Sequence, residues 1–322
     1  NYTQAKECGC SIITMPSSII DKINNFGASL EDLTLDTVKK FLKDSEKDVL
    51  DNTLMRKLEH KFCRDTFWSY DYDMPANASA LLPFKLDPTT HYASRQHPKA
   101  LGMSIVGMSD ALSDTGLDLR GIIDQYGRHK VGCFAGCAVM NMDRYSGDGL
   151  FASHPLGQRA TSKQISFTLP EMPADFINAY VTGSLGITGH FIGACATFLY
   201  NLKQGIDGIR NGQTRVAMVG GAEAPITPEI IEGYRTMGAL ADDATLKELD
   251  NADYVDNRRA CRPFSSNAGF TLSEAAVYAV LMDDELALET GAEIYGSVGD
   301  VFINADGFKK SIPSPGVGNY LT

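Results

Sequence analysis

Apolar residues recur at helical spacing at Leu101, Ile105, Met108 and Leu112, and the run closes on Thr115-Gly116, a pair that suits a helix end. A second face of this kind, Phe198, Leu202, Ile206 and Ile209, closes on Asn211-Gly212. Between and after these helices stand segments in which apolar residues run together: Lys130 to Met140, Leu185 to Gly193, Arg215 to Gly221 and AAVYAVLM. A strand buried on one face alternates apolar and polar residues, whereas a strand covered on both faces does not, so these runs predict a sheet sandwiched between helices. Further helices are expected from about Ala174 to Val181, from about Pro228 and over DDELALET, with a last strand from Ile294. The charged stretch Leu33 to His60, with Leu35, Val38, Leu42, Leu54 and Leu58, predicts one or two amphipathic helices, followed by a Pro- and Tyr-bearing loop to about Thr90. Asp143 to Pro170 is polar and glycine-rich and is expected to be a long loop. Strands alternating with helices in this way indicate an α/β layer fold with a mixed, mostly parallel sheet.

Composition narrows the class. With 43% hydrophobic and 21% charged residues, the 322-residue chain can bury a large core, and its length suggests about two domains. The formal charge of -11 offers no concentrated basic footprint for nucleic acid. No apolar run approaches the ~20 residues that span a bilayer, and NYTQAKECGC lacks a signal-peptide layout, so a cytoplasmic protein without membrane contact is expected. Seven irregularly spaced cysteines do not form a disulfide framework. His129, Cys133 and Cys137 superficially suggest a metal site. Cys133 and Cys137, however, lie four apart in a predicted strand, where both fill one buried face, so no metal is expected.

The chemistry concentrates at Gly193-Ala194-Cys195-Ala196-Thr197, where a predicted strand gives way abruptly to a helix. A helix N-terminus presents unpaired N–H groups and a partial positive charge, which favour an anionic sulfur. The same N–H groups can stabilise the oxyanion formed when a thioester carbonyl is attacked. The competing reading of this local pattern is tight packing of a small buried cysteine at a strand-helix corner.

The run ITGHFIGACATFLYNLKQGIDGIRNGQTRVAMVGGAEA resembles the active-site signature of β-ketoacyl synthases, in which a strand, an A-C-A nucleophile elbow, a buried helix and a V-A-G-G-x-E strand succeed one another in order. GYRTMGALADD is similar to that family's G-F-x-x-M-R-A-L-S. CRPFSSNAGFTLSEAAVYAVLMDDELALETGAEIYGSV is similar to its R-P-F-D-x-x-R-D-G-F-x-x-G-E-G-A-G segment and to the strand and short helix beyond it, and SRQHPKALGMSIVGMSDALSDTGL to its early helix. The resemblance runs from about Ser94 to Val301. It implies a thiolase-like fold, here the N-terminal half of a duplicated architecture, with residues 1–93 as an N-terminal helical extension and loop, 94–305 as the half that carries the active cysteine, and 306–322 as a linker toward a second half.

The resemblance also implies a two-step reaction of fatty-acid biosynthesis. An acyl group passes from the phosphopantetheine thioester of an acyl carrier protein to Cys195, and decarboxylated malonyl-carrier protein then attacks the acyl-cysteine. No tightly bound cofactor is implied, and the family works as homodimers. The imidazoles that assist decarboxylation belong to the second half in the family, and none of His60, His91, His97, His129, His154 and His190 lies in a matching motif. His190, five residues before Cys195, is expected to be a hydrogen-bonded strand residue.

Cys137, Ala138, Val139 and Met140 match the region that lines the family's acyl pocket, and Phe264 matches the aromatic of R-P-F. Core packing is the competing reading for all of them. Glu223 resembles a buried structural acid. The family's Arg in M-R-A-L-S is Gly238 here, leaving Arg95, Lys99, Arg258, Arg259 and Arg262 as candidate contacts for an acidic carrier protein. Two alternatives stay open: a non-catalytic, carrier-binding or chain-length-setting partner subunit, and an acyltransferase that stops after the first step.

Overall fold

The computed structural model describes residues 75–83, 86–139 and 141–305. The amphipathic helices expected between Leu33 and His60, and Met140, lie outside the described residues. The chain divides into two compact units, Asn1–Pro75 with Ala152–Arg159, and Ala76–Phe151 with Ala160–Thr322. In the first, the described residues form a turn in which the Leu156 and Gln158 N–H groups donate to the carbonyls of Ala152 and Ser153. The sheet lies in the second.

The strands are β1 (Ser79–Ala80), β2 (Val131–Gly136), β3 (Thr188–Gly189), β4 (Val216–Glu223), β5 (Leu272–Ser273) and β6 (Ala275–Met282). The helices are α1 (Lys99–Thr115), α2 (Leu119–Tyr126), α3 (Gly147–Ser153), α4 (Ser162–Thr168), α5 (Met172–Ile177), α6 (Thr197–Arg210), α7 (Pro228–Thr236), α8 (Asp243–Asp250) and α9 (Asp284–Glu289). The main sheet runs β3-β2-β4-β6, parallel from β3 to β4 and antiparallel at β6, while β1 pairs with β5 in a separate two-stranded ladder. This is the mixed, mostly parallel α/β architecture that the apolar runs predict.

Side chains alternate across the sheet as the strand period requires. Val131, Cys133, Ala135, Val216 and Met218 point to one face and pack with Met108 of α1, Ile122 of α2 and Ala174 and Ile177 of α5. Phe134, Ala217 and Val219 point to the other, where Leu202 and Ile209 of α6 cover them. Helix α6 approaches closely because the residues along its inner stripe are small or polar: Thr197, Asn201, Gly205 and Gly208 are buried there. A Cβ on Gly205 would lie 2.5 Å from Val219 Cγ1, so the helix-sheet spacing depends on that glycine.

Helix α1 ends as its pattern predicts, with Gly116 in the left-handed region at φ 64 and its N–H donated to the Ser113 carbonyl. The antiparallel strand β6 is held at both ends by ion pairs. Arg215, just before β4, forms a two-toothed pair with Asp283 at 2.7 and 2.8 Å and stacks over Tyr126. At the other end the buried Glu274 carboxylate accepts from Lys99 Nζ at 2.6 Å and from the Leu82 N–H at 2.9 Å.

Several elements differ from expectation. The strand expected to reach Met140 stops at Gly136, because the next two N–H groups leave the ladder: Cys137 donates to the Pro170 carbonyl and Ala138 to Glu223 Oε1. The expected strand from Leu185 to Gly193 shortens to Thr188–Gly189, since the Phe191 N–H turns to Asn201. The long loop from Asp143 contains α3 and α4, the latter opened by a capping box of Thr161 and Gln164. The Asp- and Arg-rich loop contains α8, capped by Asp242. No strand forms from Ile294 among the described residues, and Ile294, Tyr295 and Phe302 are exposed.

Candidate active site

The parallel strands β3, β2 and β4 all deliver their chains to the same edge of the sheet, the edge where α/β folds place their chemistry. Three segments meet there. The elbow Gly193–Ala196 comes after β3, the segment Cys137–Val139 after β2, and Glu223 ends β4. Gly136 is paired with Gly221, so Glu223 stands just past the last rung and can reach the free N–H of Ala138. Burial pushes the Glu223 carboxyl above the usual carboxylate range, and the N–H groups of Ala138 and Val139 pull it partly back. Glu223 is thus a hydrogen-bonded acid, as the sequence suggested, though half-buried and not fully enclosed, and it ties the β2 and β4 termini together.

The elbow is a single 3-10 turn, Ala194–Ala196, feeding directly into α6. Ala194 adopts φ 49, a left-handed conformation that costs an ordinary L-residue about 1 kcal/mol. Thr197 offsets that cost locally: it is buried, accepts the Gly193 N–H at 3.1 Å and donates to the Ala194 carbonyl at 2.7 Å. The turn also closes on itself through the Ala196 N–H and the Gly193 carbonyl at 2.9 Å. With the flanking residues fixed in this way, the Cys195 thiol is left exposed at the N-terminal end of a fourteen-residue helix. An exposed sulfur does not fit the reading of a small buried filler.

Tyr234 of α7 was not singled out from sequence. Its ring stands edge-to-face with Phe270, centroids 5.5 Å apart, and its hydroxyl is held in the neutral form by burial first and then by the nearby charges of Cys195 and Glu223. The signal was available in GYRTM, where the family pattern has Phe in place of this Tyr.

His190 departs from expectation. Neither ring nitrogen has a hydrogen-bond partner, and the imidazole lies against Gly136, which has no Cβ to obstruct it. Burial lowers its pKa from the ordinary histidine value, with Glu171 acting weakly in the opposite direction.

The other sequence candidates separate. Cys137, Ala138 and Val139 stand beside Glu223 at the sheet edge, with Cys137 buried. Phe264 is fully exposed with φ 63, away from any core. Lys99 is committed to Glu274, Arg258 to Asp256, and Arg259 and Arg262 to Asp250, whereas Arg95 is exposed with no ion-pair partner among the described residues. The Cys133 thiol is buried and pushed up to about 12, as expected of a filler. Among the described residues no group of three or more His, Cys, Asp or Glu side chains could hold a metal ion, and no helix is long and apolar enough to cross a membrane.

The family model for the β-ketoacyl synthase N-terminal domain matches residues 85–287. The chain belongs to the β-ketoacyl synthase family. It is 51% identical over 263 residues to the β-ketoacyl-[acyl-carrier-protein] synthase FabY of Pseudomonas aeruginosa, covering 82% of this chain and 41% of that relative. It is 26% identical over 216 residues to 3-oxoacyl-[acyl-carrier-protein] synthase 2 of Staphylococcus aureus, covering 66% of this chain and 49% of the relative. This β-ketoacyl synthase chain therefore spans less than half the length of these curated relatives. Its fold superimposes on the crystal structure of the ketosynthase FabY of P. aeruginosa with a TM-score of 0.72 at 53% identity, covering 75% of this chain and 38% of that one. A β-ketoacyl synthase of Burkholderia phymatum shares the fold alone, with a TM-score of 0.57 at 19% identity over 70% of this chain and 52% of that one. The α/β architecture is thus the thiolase-like fold of the ketosynthases.

Proposed function

We propose that Cys195 is the acyl-accepting nucleophile of a β-ketoacyl-acyl carrier protein synthase of fatty-acid biosynthesis. The observation that carries this reading is the exposed thiol on a braced elbow at a helix N-terminus, at the strand edge where Glu223 and Tyr234 also gather. The Cys195 thiolate attacks the carbonyl carbon of a phosphopantetheine thioester. A new carbon-sulfur bond forms, the carbonyl electrons move onto oxygen, and N–H groups at the start of α6 offset that charge. As the tetrahedral species collapses, the bond to the phosphopantetheine sulfur breaks and the departing thiolate takes up a proton. In the whole protein, decarboxylated malonyl-carrier protein then attacks the acyl-cysteine.

The substrate-bearing partner is an acidic acyl carrier protein, and Arg95 is the cation best placed to meet it, since Lys99, Arg258 and Arg259 are engaged in ion pairs. The protein acts in the cytoplasm as a homodimer without a tightly bound cofactor. Exposed Leu185, Ile187, Phe191 and Ile192 flank the edge strand β3 and favour a second copy there. Residues 94–305 form the cysteine-bearing half, with 1–93 as an N-terminal extension and 306–322 as a linker toward the second half.

Incubation with a labelled acyl-carrier protein, followed by intact-mass analysis and peptide mapping, is expected to place one acyl group on Cys195 and none on Cys195→Ala. An unmodified wild-type chain would overturn the nucleophile reading in favour of a non-catalytic partner subunit.

A further inference from the structure

The segment that leads into Cys195 is held by side chains of the helix that follows it. Asn201 Oδ1 of α6 accepts the Phe191 N–H at 3.0 Å, and the Tyr200 ring lies against Gly193, where a Cβ would run into it. The contacts nearest the thiol belong to Thr197, which is buried. Its Oγ1 accepts the Gly193 N–H at 3.1 Å and donates to the Ala194 carbonyl at 2.7 Å, and its backbone N–H goes to the same carbonyl. Only a group that both accepts and donates at one atom can bridge these two sites.

The Ala194 carbonyl belongs to the peptide unit that joins Ala194 to Cys195. A trans peptide is planar, with its C=O and N–H pointing in opposite directions. Turning this carbonyl onto Thr197 therefore turns the Cys195 N–H the other way and fixes the Cα from which the thiol projects. The conformation required is costly: Ala194 stands at φ 49, and an L-residue disfavours left-handed backbone by roughly 5–30-fold.

We infer that the Thr197 hydroxyl keeps Ala194 left-handed and thereby positions Cys195 for acyl transfer. It acts through the backbone, so Thr197 is a positioning residue and not a catalytic one. Its role is separable from support of the fold. Ala194 is exposed and Gly193 half-buried, so the peptide groups released when the hydroxyl is removed find water, the chain stays folded, and the turn relaxes toward right-handed backbone.

This inference rests on the reading of Cys195 as nucleophile, and its test separates the two. In the full chain, transfer from a labelled acyl-carrier protein is measured for wild type, Thr197→Ser, Thr197→Val, and Thr197→Val combined with Ala194→Gly. Valine keeps the shape of threonine without its hydroxyl, and Thr197→Val is expected to lower kcat about 5–30-fold with KM unchanged, as the fraction of turns in the competent conformation falls. Thr197→Ser keeps the hydroxyl and should stay within about threefold of wild type. Glycine takes positive φ as readily as negative, so adding Ala194→Gly to Thr197→Val should restore the rate to within about threefold of wild type. A residue that merely supported packing would not be rescued by removing a methyl group three positions away. Chemical shifts of 13C-labelled Ala194 should report a left-handed residue in wild type and a mostly right-handed one in Thr197→Val. A Thr197→Val chain that transfers as fast as wild type or fails to fold, a double variant as slow as the single one, or an Ala194 that stays left-handed without the hydroxyl would each overturn the inference. A wild-type chain that takes no acyl group would overturn the nucleophile reading instead, and the Ala194 shifts would still decide whether Thr197 holds the turn.

Discussion

Replacing Gly205 with alanine tests whether close approach of α6 sets the site. Two effects oppose each other. Alanine in a helix interior gains about 0.8–1.0 kcal/mol over glycine. Against this, the new methyl would lie 2.5 Å from Val219 Cγ1 and 3.1 Å from Leu281 Cδ1. Val219 is fully buried and β-branched, so it cannot swing aside, which places the overpacking cost toward the top of the usual range, about 2–3 kcal/mol. The net expectation is a loss of about 1–2 kcal/mol. Gly208 on the same helix is the control: a methyl there meets Thr214 Oγ1 at 3.3 Å and Phe134 at 3.8 Å, contacts that a small shift absorbs, so Gly208→Ala should be neutral or gain up to about 1 kcal/mol. Urea unfolding at fixed pH would read the two variants as midpoint shifts of opposite sign with unchanged slope. A Gly205→Ala midpoint at or above wild type, or equal losses for both variants, would refute the idea that the glycine sets the helix-sheet distance.

Brief alkylation of the native chain should label Cys195 and Cys261, which are exposed, and leave Cys133 and Cys137 unmodified until the chain unfolds, as read by peptide mapping. Asp283→Asn should cost about 1–2 kcal/mol at pH 7, because it removes the charge that faces Arg215 while retaining an acceptor for the Leu286 N–H at the start of α9. The Asp283 pKa is held low, chiefly by Arg215, so the wild-type contribution is present above the ordinary aspartate value and lost as pH falls; the variant's stability should therefore decline less steeply in acid, and parallel curves would argue against the pair.

Long elements with an unbroken pattern were readable. The apolar faces of α1 and α6 reported helices and the glycines after them reported the ends, while the uninterrupted β4 and β6 reported a sheet covered on both sides. Elements whose ends are decided by distant groups were not. Nothing local to Phe191 says that its N–H belongs to Asn201, nor local to Ala138 that its partner is Glu223, so pattern alone extends β3 and β2 too far. The helices α2, α4 and α8 escape the apolar periodicity although their starts are written in the chain: Asp118, Thr161 with Gln164, and Asp242 each cap a first turn. Within the candidate site, the placement of Cys195 at a helix start was legible from the strand-to-helix break, but its bracing by Thr197 and the proximity of Tyr234 were not, because they depend on how the turn and α7 pack.

The ion pair between Lys99 and Glu274 also bears on the order in which the molecule assembles. The two partners are 175 residues apart, so at ordinary synthesis rates of about 5–20 residues per second the lysine emerges roughly 9–35 s before its carboxylate. In that interval β4 has no β6 beside it, β1 has no partner, and the inner face of α1 lacks the side chains of β6 that later cover it. Growth of the nascent chain therefore passes through a stage in which apolar surface is already made but cannot yet be closed, and the arrival of residues 272–282 is the event that ends its exposure to wrong partners.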